Sequence, residues 1–329
     1  MNIAFYSTLP FEQTWFASYT NHAITYIPQA LTEQTADMAK GHRAVCAFVN
    51  DDLSRPVLQI LKQQGVSVVG MRCVGLDNVD QEAMADLGLT LLNIPGHSPY
   101  SVAEQAVALL LGLVRHLPEA SQRVQLGNFS IDGLIGNDLH GKTVGVIGAG
   151  RIGSVFARIM LGFGCNVLIY DIRHNPKLIE AGAQYRLLSD LLAQSDILSL
   201  HCPLTQLTDH IINPQTIAAL KPSTVLVNTA RGRLVDAKAV LDALDAGKLA
   251  GYAADVYEQE RAYFHYDYSR KSIADDILNQ LRNHPKVLLT AHQGFLTEEA
   301  LQQMARNLLN QFTFYDSQQM IMVTKASMC

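Results

Sequence analysis

The sequence predicts an α/β protein of two domains built around parallel sheets, and three observations carry that prediction. Short apolar runs of strand length alternate with helical patterns along most of the chain, as in βαβ units. In the middle of the chain Thr143 to Ile147 reads as a buried strand followed at once by an amphipathic helix. The length of 329 residues fits about two domains at roughly 150 residues each.

Taken in order, the first hundred residues carry the alternation more weakly. Strands are expected near Ile3 to Tyr6, Val45 to Val49 and Val66 to Val69, forming a separate, smaller sheet. Val102 to Leu117 is apolar almost all round, and such a helix is buried between layers, so the crossing between domains is placed there. After Thr143 to Ile147, the residues Ile152, Val155, Phe156, Ile159, Met160 and Phe163 share one helix face, and Asn166 to Tyr170 forms the next strand. Further strands are expected over Ile197 to Leu200, Val225 to Val227, Leu249 to Val256 and Val287 to Thr290. Helices are expected near Asp190, over Pro214 to Leu220 and over Asp236 to Ala246. Asn213 is read as an N-cap, with Pro214 at the first helical position. Tyr257 to Ser272 is irregular, polar and rich in aromatics. Thr297 is read as the cap of a last helix, with Glu298 and Glu299 in its first turn and Leu301, Met304, Ala305, Leu308, Leu309 and Phe312 in register. That helix is expected to return to the first domain.

Composition excludes several classes of function. With 48% hydrophobic and 17% charged residues the chain is too apolar to be disordered. Lys and Arg number 25 against 30 Asp and Glu, a net charge of −5, which argues against nucleic acid or an anionic membrane as partner. Cys46, Cys73, Cys165, Cys202 and Cys329 are scattered with no C-x-x-C pair, so neither a disulfide framework nor a cysteine zinc site is expected, and the thiols are read as buried and reduced. The opening MNIAFYST reads as a first strand rather than a targeting segment. The longest apolar stretch, Ala106 to Val114, is about half of a membrane span. A soluble cytoplasmic protein without a metal centre is the expectation.

Gly148-Ala149-Gly150-Arg151-Ile152-Gly153 fits G-x-G-x-x-G. The pattern is weak alone, but here it follows a buried strand and opens an amphipathic helix, which is the Rossmann context. Gly148 suits the tight turn, Gly150 the approach of a pyrophosphate, and Gly153 the packing of helix on strand, while N–H groups and helix dipole favour the anion. Asp171, at the end of the next strand, is placed to accept hydrogen bonds from an adenosine ribose, and its charge would repel the extra phosphate of NADP. The expected cofactor is NAD. Arg173, two residues on, is read mainly as a solvated surface charge.

His292, Arg231 and Glu260 each follow an expected strand. Taken singly, they have plain readings as a satisfied core histidine, a surface arginine and a surface glutamate. Together, after successive strands of one nucleotide domain, they fall where open α/β sheets bind ligands. The set suits hydride transfer to a 2-oxo acid: a guanidinium fork for the carboxylate, an imidazolium to protonate the carbonyl oxygen, and a carboxylate to keep the imidazole charged and oriented. No G-x-S-x-G or H-E-x-x-H pattern occurs; Gly96 to Tyr100 fails the first at its last position.

Six stretches now carry a resemblance. Phe48-Val49-Asn50-Asp51-Asp52, Met71 to Asp80, His201-Cys202-Pro203-Leu204-Thr205, Asn228-Thr229-Ala230-Arg231-Gly232, Asp255-Val256-Tyr257-Glu258 and Ala291-His292-Gln293-Gly294-Phe295-Leu296-Thr297 closely resemble those of the fermentative D-lactate dehydrogenases, in the D-isomer-specific 2-hydroxyacid dehydrogenase family. Their order and separations match along essentially the whole chain. The resemblance implies a Rossmann-type domain, 101–297, inserted into a smaller flavodoxin-like α/β substrate domain, 1–100 and 298–329. It implies that Arg231 binds and polarises the substrate, that Glu260 pairs with His292, and that His292 is the acid and base. It further implies cofactor contacts at His201, Cys202, Pro203, Thr229, Ala230 and Asp255, with Asp255 at the nicotinamide amide. Backbone N–H groups around Val74 and Gly75 would hold the substrate carboxylate, and Phe48 and Phe295 would wall the pocket.

The chain also departs from the family pattern. His97 stands where relatives have tyrosine and either adds a second pH dependence near the substrate carboxylate or fills space. Gln105 replaces a histidine, and Gly294 replaces an alanine. The implied reaction is pyruvate, NADH and a proton going to D-lactate and NAD⁺ in a homodimer or homotetramer. A bulkier 2-oxo acid and a dinucleotide-sensing corepressor are the alternatives.

Overall fold

The structure, a computed structural model, describes residues 1–20, 22–94, 96 and 98–326, with side chains described through residue 318. The chain divides into two compact units, Met1–Ser98 with Leu296–Cys329, and Pro99–Phe295.

In the first unit five parallel strands are described: β1 (Asn2–Phe5), β2 (Ala23–Tyr26), β3 (Ala44–Ala47), β4 (Val68–Met71) and β5 (Thr90–Asn93). Their order, β2-β1-β3-β4-β5, is the flavodoxin-like one, with the topological switch point between β1 and β3. β3 and β4 are buried along their whole length, as strands covered on both faces must be. The helix Glu298–Ala326 supplies one cover: a Cβ added to Gly70 in β4 would lie 2.4 Å from the Phe312 ring, so only glycine lets helix and strand meet this closely. Thr297 caps that helix, its Oγ1 accepting from the Ala300 N–H at 3.2 Å, and all six apolar residues expected on its inner face are buried.

In the second unit seven parallel strands are described: β6 (Thr143–Ile147), β7 (Asn166–Tyr170), β8 (Gln184–Tyr185), β9 (Ile197–Leu200), β10 (Val225–Asn228), β11 (Gly251–Ala254) and β12 (Val287–Leu289). The order β12-β11-β10-β9-β6-β7-β8 is that of a doubly wound Rossmann sheet with one further strand. Asn228 pairs with Ala254 and Ala254 with Leu289, so β10, β11 and β12 end level with one another. The helix Pro99–Val114 lies close on this end of the sheet: a Cβ on its Gly112 would stand 2.9 Å from Leu288, and one on Gly251 of β11 2.9 Å from Leu113. Asn213 caps the helix Pro214–Ala218 through the N–H groups of Gln215 and Thr216.

Some expectations need correction. The strand expected to run to Val49 ends at Ala47, because Phe48 enters a turn in which its carbonyl accepts from the Asp51 N–H at 3.1 Å. The strand expected over Val66 to Val69 is shifted to Val68–Met71, in register with Ala44–Ala47 of β3. Leu249 to Val256 shrinks to four residues, the length its neighbours can pair. Phe163 is not on the buried helix face; it is the C-cap residue of Arg151–Gly162 and is exposed. Cys73 and Cys202 are only half-buried, unlike Cys46 and Cys165, and the Cys329 side chain lies outside the described residues. β2, β5 and β8 were not foreseen. Among the described residues no helix is long and apolar enough to cross a membrane, and no group of three His, Cys, Asp or Glu side chains forms a metal cage.

Candidate active site

The glycine turn after β6 divides its work among three positions. Gly148 has φ +92°, and a Cβ there would lie 2.6 Å from the Cys202 backbone nitrogen, so the turns after β6 and β9 touch main chain to main chain. A Cβ on Gly153 would lie 2.0 Å from the Gly148 carbonyl oxygen, which is how the helix seats on the strand. Gly150 is different: it is the N-cap of the helix Arg151–Gly162, no side chain caps it, and nothing lies within 4 Å of where its Cβ would be. The open space sits at a helix N-terminus, where first-turn N–H groups lack intrahelical acceptors and attract an anion.

The neighbouring strand ends complete this cradle. Asp171 follows β7 and accepts from the Ala149 N–H at 2.6 Å and the Arg173 N–H at 2.8 Å, which ties the glycine turn to the acidic residue. His201 follows β9. Its Nε2 lies 2.8 Å from Ser199 Oγ and its ring packs on Phe156 with centroids 4.8 Å apart. Desolvation pushes the imidazole down to about 3, so it is neutral at ordinary pH. Burial pushes the Cys202 thiol up to about 11, leaving it protonated. Pro203 is exposed and Ala230 half-buried, while the Thr229 hydroxyl is buried with no hydrogen-bond partner. An orphaned hydroxyl, an open helix N-terminus and a carboxylate on one sheet edge fit a dinucleotide.

Next along the same edge come the three candidates for chemistry. Arg231 follows β10 in a loop held by Asn228, whose Nδ2 donates to the Arg231 carbonyl at 2.9 Å and whose Oδ1 accepts from the Ala230 N–H at 3.1 Å. Gly232 brings that loop against the segment after β11: a Cβ on it would lie 2.1 Å from the Tyr257 carbonyl carbon. Glu260 stands in the short 3₁₀ turn Glu260–Ala262 beyond β11. Its Oε2 accepts from the Tyr257 N–H at 2.9 Å, and its Oε1 lies 2.5 Å from His292 Nδ1. His292 follows β12 with φ +51°, a left-handed conformation costly for a residue with a Cβ and found where surrounding structure imposes it.

Asp255 does much of that imposing. The His292 N–H donates to the Asp255 carbonyl at 2.6 Å. The buried Asp255 carboxylate accepts from Thr290 Oγ1 at 2.5 Å and from the N–H groups of Gln293 at 2.9 Å and Gly294 at 2.7 Å. Gln105 Nε2 donates to Thr290 Oγ1 at 3.2 Å, and His265 Nε2 lies 3.3 Å from the His292 carbonyl oxygen. Sequence reasoning did not find Asn228, Thr290 or His265 as supports: Asn228 falls in the Asn228–Gly232 stretch without a role of its own, and Thr290 and His265 stand in no motif.

Of the remaining candidates, Phe295 is half-buried just beyond this turn. Phe48, buried, and Val74 with Gly75, of which Val74 is exposed, stand at the carboxyl ends of β3 and β4 in the first unit. His97 lies outside the described residues.

A glycine turn at the switch point of a doubly wound sheet and a histidine–glutamate pair on the same edge define an NAD-linked oxidoreductase. The model for the D-isomer-specific 2-hydroxyacid dehydrogenase NAD-binding domain matches residues 107–294. The chain is 42% identical to 2-hydroxyacid dehydrogenase homolog 1 of Schizosaccharomyces pombe, over 97% of each chain. It is similar in structure to the pyruvate reductase of Chlamydomonas reinhardtii (TM-score 0.88, 38% identity, 94% of both chains). The apo structure of Escherichia coli D-lactate dehydrogenase is comparably similar (TM-score 0.87, 38% identity, 96% of this chain and 97% of that one). The chain belongs to the D-isomer-specific 2-hydroxyacid dehydrogenase family.

Proposed function

We propose that this protein is a D-lactate dehydrogenase that reduces pyruvate to D-lactate. The observation that carries the reading is the 2.5 Å contact between Glu260 Oε1 and His292 Nδ1, on the sheet edge that also carries Arg231. Similarity to a pyruvate reductase and a D-lactate dehydrogenase supports pyruvate among 2-oxo acids.

Bound NADH supplies the hydride for the carbonyl carbon. With Nδ1 committed to Glu260, Nε2 is the imidazole atom that holds the proton for the carbonyl oxygen and returns to take it back in the reverse direction. The Glu260 carboxylate fixes the ring plane, its other oxygen being tied to the Tyr257 N–H. The Arg231 guanidinium forms a fork on the substrate carboxylate and steadies the charge growing on the carbonyl oxygen. Val74 and Gly75 offer backbone N–H groups to that carboxylate, and Phe48 and Phe295 wall the methyl end. Gly148 and Gly153 shape the turn that brings Gly150 and the first-turn N–H groups of Arg151 and Ile152 to the pyrophosphate, and Asp171 holds the adenosine ribose.

The test is loss of NADH absorbance with pyruvate, glyoxylate and 2-oxoisocaproate side by side. Highest kcat/KM on pyruvate with D-lactate as product is the expected result. Preference for 2-oxoisocaproate would replace pyruvate by a bulkier acid, and NADH binding without turnover on any of them would make the protein a dinucleotide sensor.

A further inference from the structure

In the first unit a buried charge cluster lies at the carboxyl edge of β1, β3 and β4, outside the residues given roles above. Arg72, immediately after β4, is only 2% exposed. Its Nε donates to Glu12 Oε1 at 2.7 Å, and its Nη2 donates to Glu12 Oε2 at 3.4 Å and to the Ser7 carbonyl at 2.8 Å. Glu12 is itself buried, and its Oε2 also accepts from the Leu9 N–H at 2.8 Å, which anchors the pair to the start of the helix Pro10–Ala17. With its plane fixed in this way, the guanidinium carbon lies 4.7 Å from the centroid of the Phe48 ring. A second buried acid, Asp51, accepts from the Phe48 N–H at 2.6 Å, from Leu31 N–H at 2.8 Å and from Ser7 Oγ at 2.6 Å, and Asn78 Nδ2 donates to the Phe48 carbonyl at 3.1 Å.

A buried ion pair is weak evidence for a stabilising role, because apolar residues of the same volume usually fill such a space as well or better. What this pair does that they would not is present a flat, oriented cation to an aromatic ring. Three contacts of the cluster converge on Phe48, the guanidinium on its ring and the Asp51 and Asn78 side chains on its main chain, next to the switch point between β1 and β3, where open α/β sheets receive ligands. The same guanidinium also lies 5.8 Å from the Phe5 ring centroid, and its Nη1 lies 3.9 Å from Cys46 Sγ.

We propose that Arg72 is a positioning residue for substrate selection: held by Glu12, it props the Phe48 ring and so sets the length of 2-oxo acid tail the site accepts. The inference rests on the reading of Phe48 as the wall of the substrate pocket. Arg72→Lys keeps the charge and loses both the fork and the flat face.

The experiment measures kcat and KM of the full-length enzyme with NADH on pyruvate and on 2-oxoisocaproate, for wild type, Arg72→Lys, Phe48→Ala and the double variant, with Glu12→Gln as a second probe that keeps side-chain size. For Arg72→Lys the expected result is a pyruvate KM raised about tenfold, the effect of losing a desolvated cation–ring contact, with kcat within about threefold of wild type. The preference for pyruvate over 2-oxoisocaproate should fall in parallel. Glu12→Gln should move it the same way by less, and the second variant decides the matter if Arg72→Lys does not fold. In the Phe48→Ala background Arg72→Lys should change the preference no further, since the two act as one unit. An unchanged preference in folded Arg72→Lys or Glu12→Gln, or an undiminished effect of Arg72→Lys without Phe48, overturns this inference alone. Wild-type preference in Phe48→Ala overturns the wall reading and this inference with it, and a wild type inert toward both acids overturns the proposed reaction itself.

Discussion

Gln105 and Gly294 meet beside the turn that carries His292: a Cβ built on Gly294 would lie 3.6 Å from Gln105 Cγ and 3.1 Å from Asp255 Oδ2. These are two of the positions at which the resemblance implies a departure from the family pattern, and they are neighbours in space. Whether Gly294→Ala is tolerated depends on whether the carboxylate can retreat by a few tenths of an ångström. Held by Thr290 Oγ1 and the N–H groups of Gln293 and Gly294, it cannot do so without lengthening those bonds. Gly294→Ala should therefore lower stability by about 1 kcal/mol, at the low end of overpacking costs, and lower kcat by displacing His292. A urea midpoint and a kcat equal to those of wild type would show that the carboxylate moves freely.

Replacing Glu260 by Gln preserves shape and removes charge. The His292 ring, with Nδ1 2.5 Å from Glu260 Oε1, then loses the charge-assisted hydrogen bond that orients it. In Glu260→Gln kcat should fall by roughly 10²-fold while the pyruvate KM stays within about threefold, the pattern of a residue that serves the chemical step rather than binding. Steady-state kinetics with NADH and pyruvate check this, and a wild-type kcat would remove Glu260 from its assigned role.

The glycine turn yields opposite expectations at two positions three residues apart. Gly150→Ala meets open space and an ordinary backbone conformation, with φ −66° and ψ −157°, so thermal stability should hold while NADH binding weakens. Gly153→Ala drives a Cβ into the Gly148 carbonyl at 2.0 Å, so the helix must lift off the strand and stability should fall by roughly 1–3 kcal/mol. Thermal melts and NADH titration of the two variants separate a ligand-facing glycine from a packing glycine. Equal melting points in both would refute the distinction.

Much of the second unit was legible because its signals are local. A continuous apolar strand, a glycine turn and an amphipathic helix follow one another within a few residues, and strands over Thr143–Ile147, Asn166–Tyr170 and Ile197–Leu200 fall where the apolar runs place them. Arg231, Glu260 and His292 were legible as residues following successive strands. The supports beneath them were not: Gln105 reaches Thr290 across 185 residues and Asp255 reaches Thr290 across 35, and such contacts leave no periodic trace. In the first unit β2 alternates between exposed and half-buried positions at the sheet edge, too weak a pattern to stand out, and the two residues of β8 are too short to read. Arg72 was invisible for a different reason, since arginine is expected at the surface unless a partner such as Glu12, 60 residues away, brings it inside.

His201 gives a pH dependence of stability whose sign follows from its environment. Enclosed beside Phe156 and Ser199, and desolvated, it takes up a proton only near pH 3, against about 6.5 for an unfolded histidine. Between those values the unfolded chain binds a proton that the folded one refuses, so acid favours unfolding. The contribution is fully present above pH 6.5 and is lost as the pH falls toward 3; between pH 6.5 and 5 the loss is on the order of 2 kcal/mol. His201→Asn keeps a polar group facing Ser199 and removes the titration, so its urea midpoint should fall less steeply over that interval than the wild-type midpoint. Parallel slopes for the two proteins would mean that the imidazole protonates without unfolding, and would place solvent beside the ring that Phe156 and Ser199 now enclose.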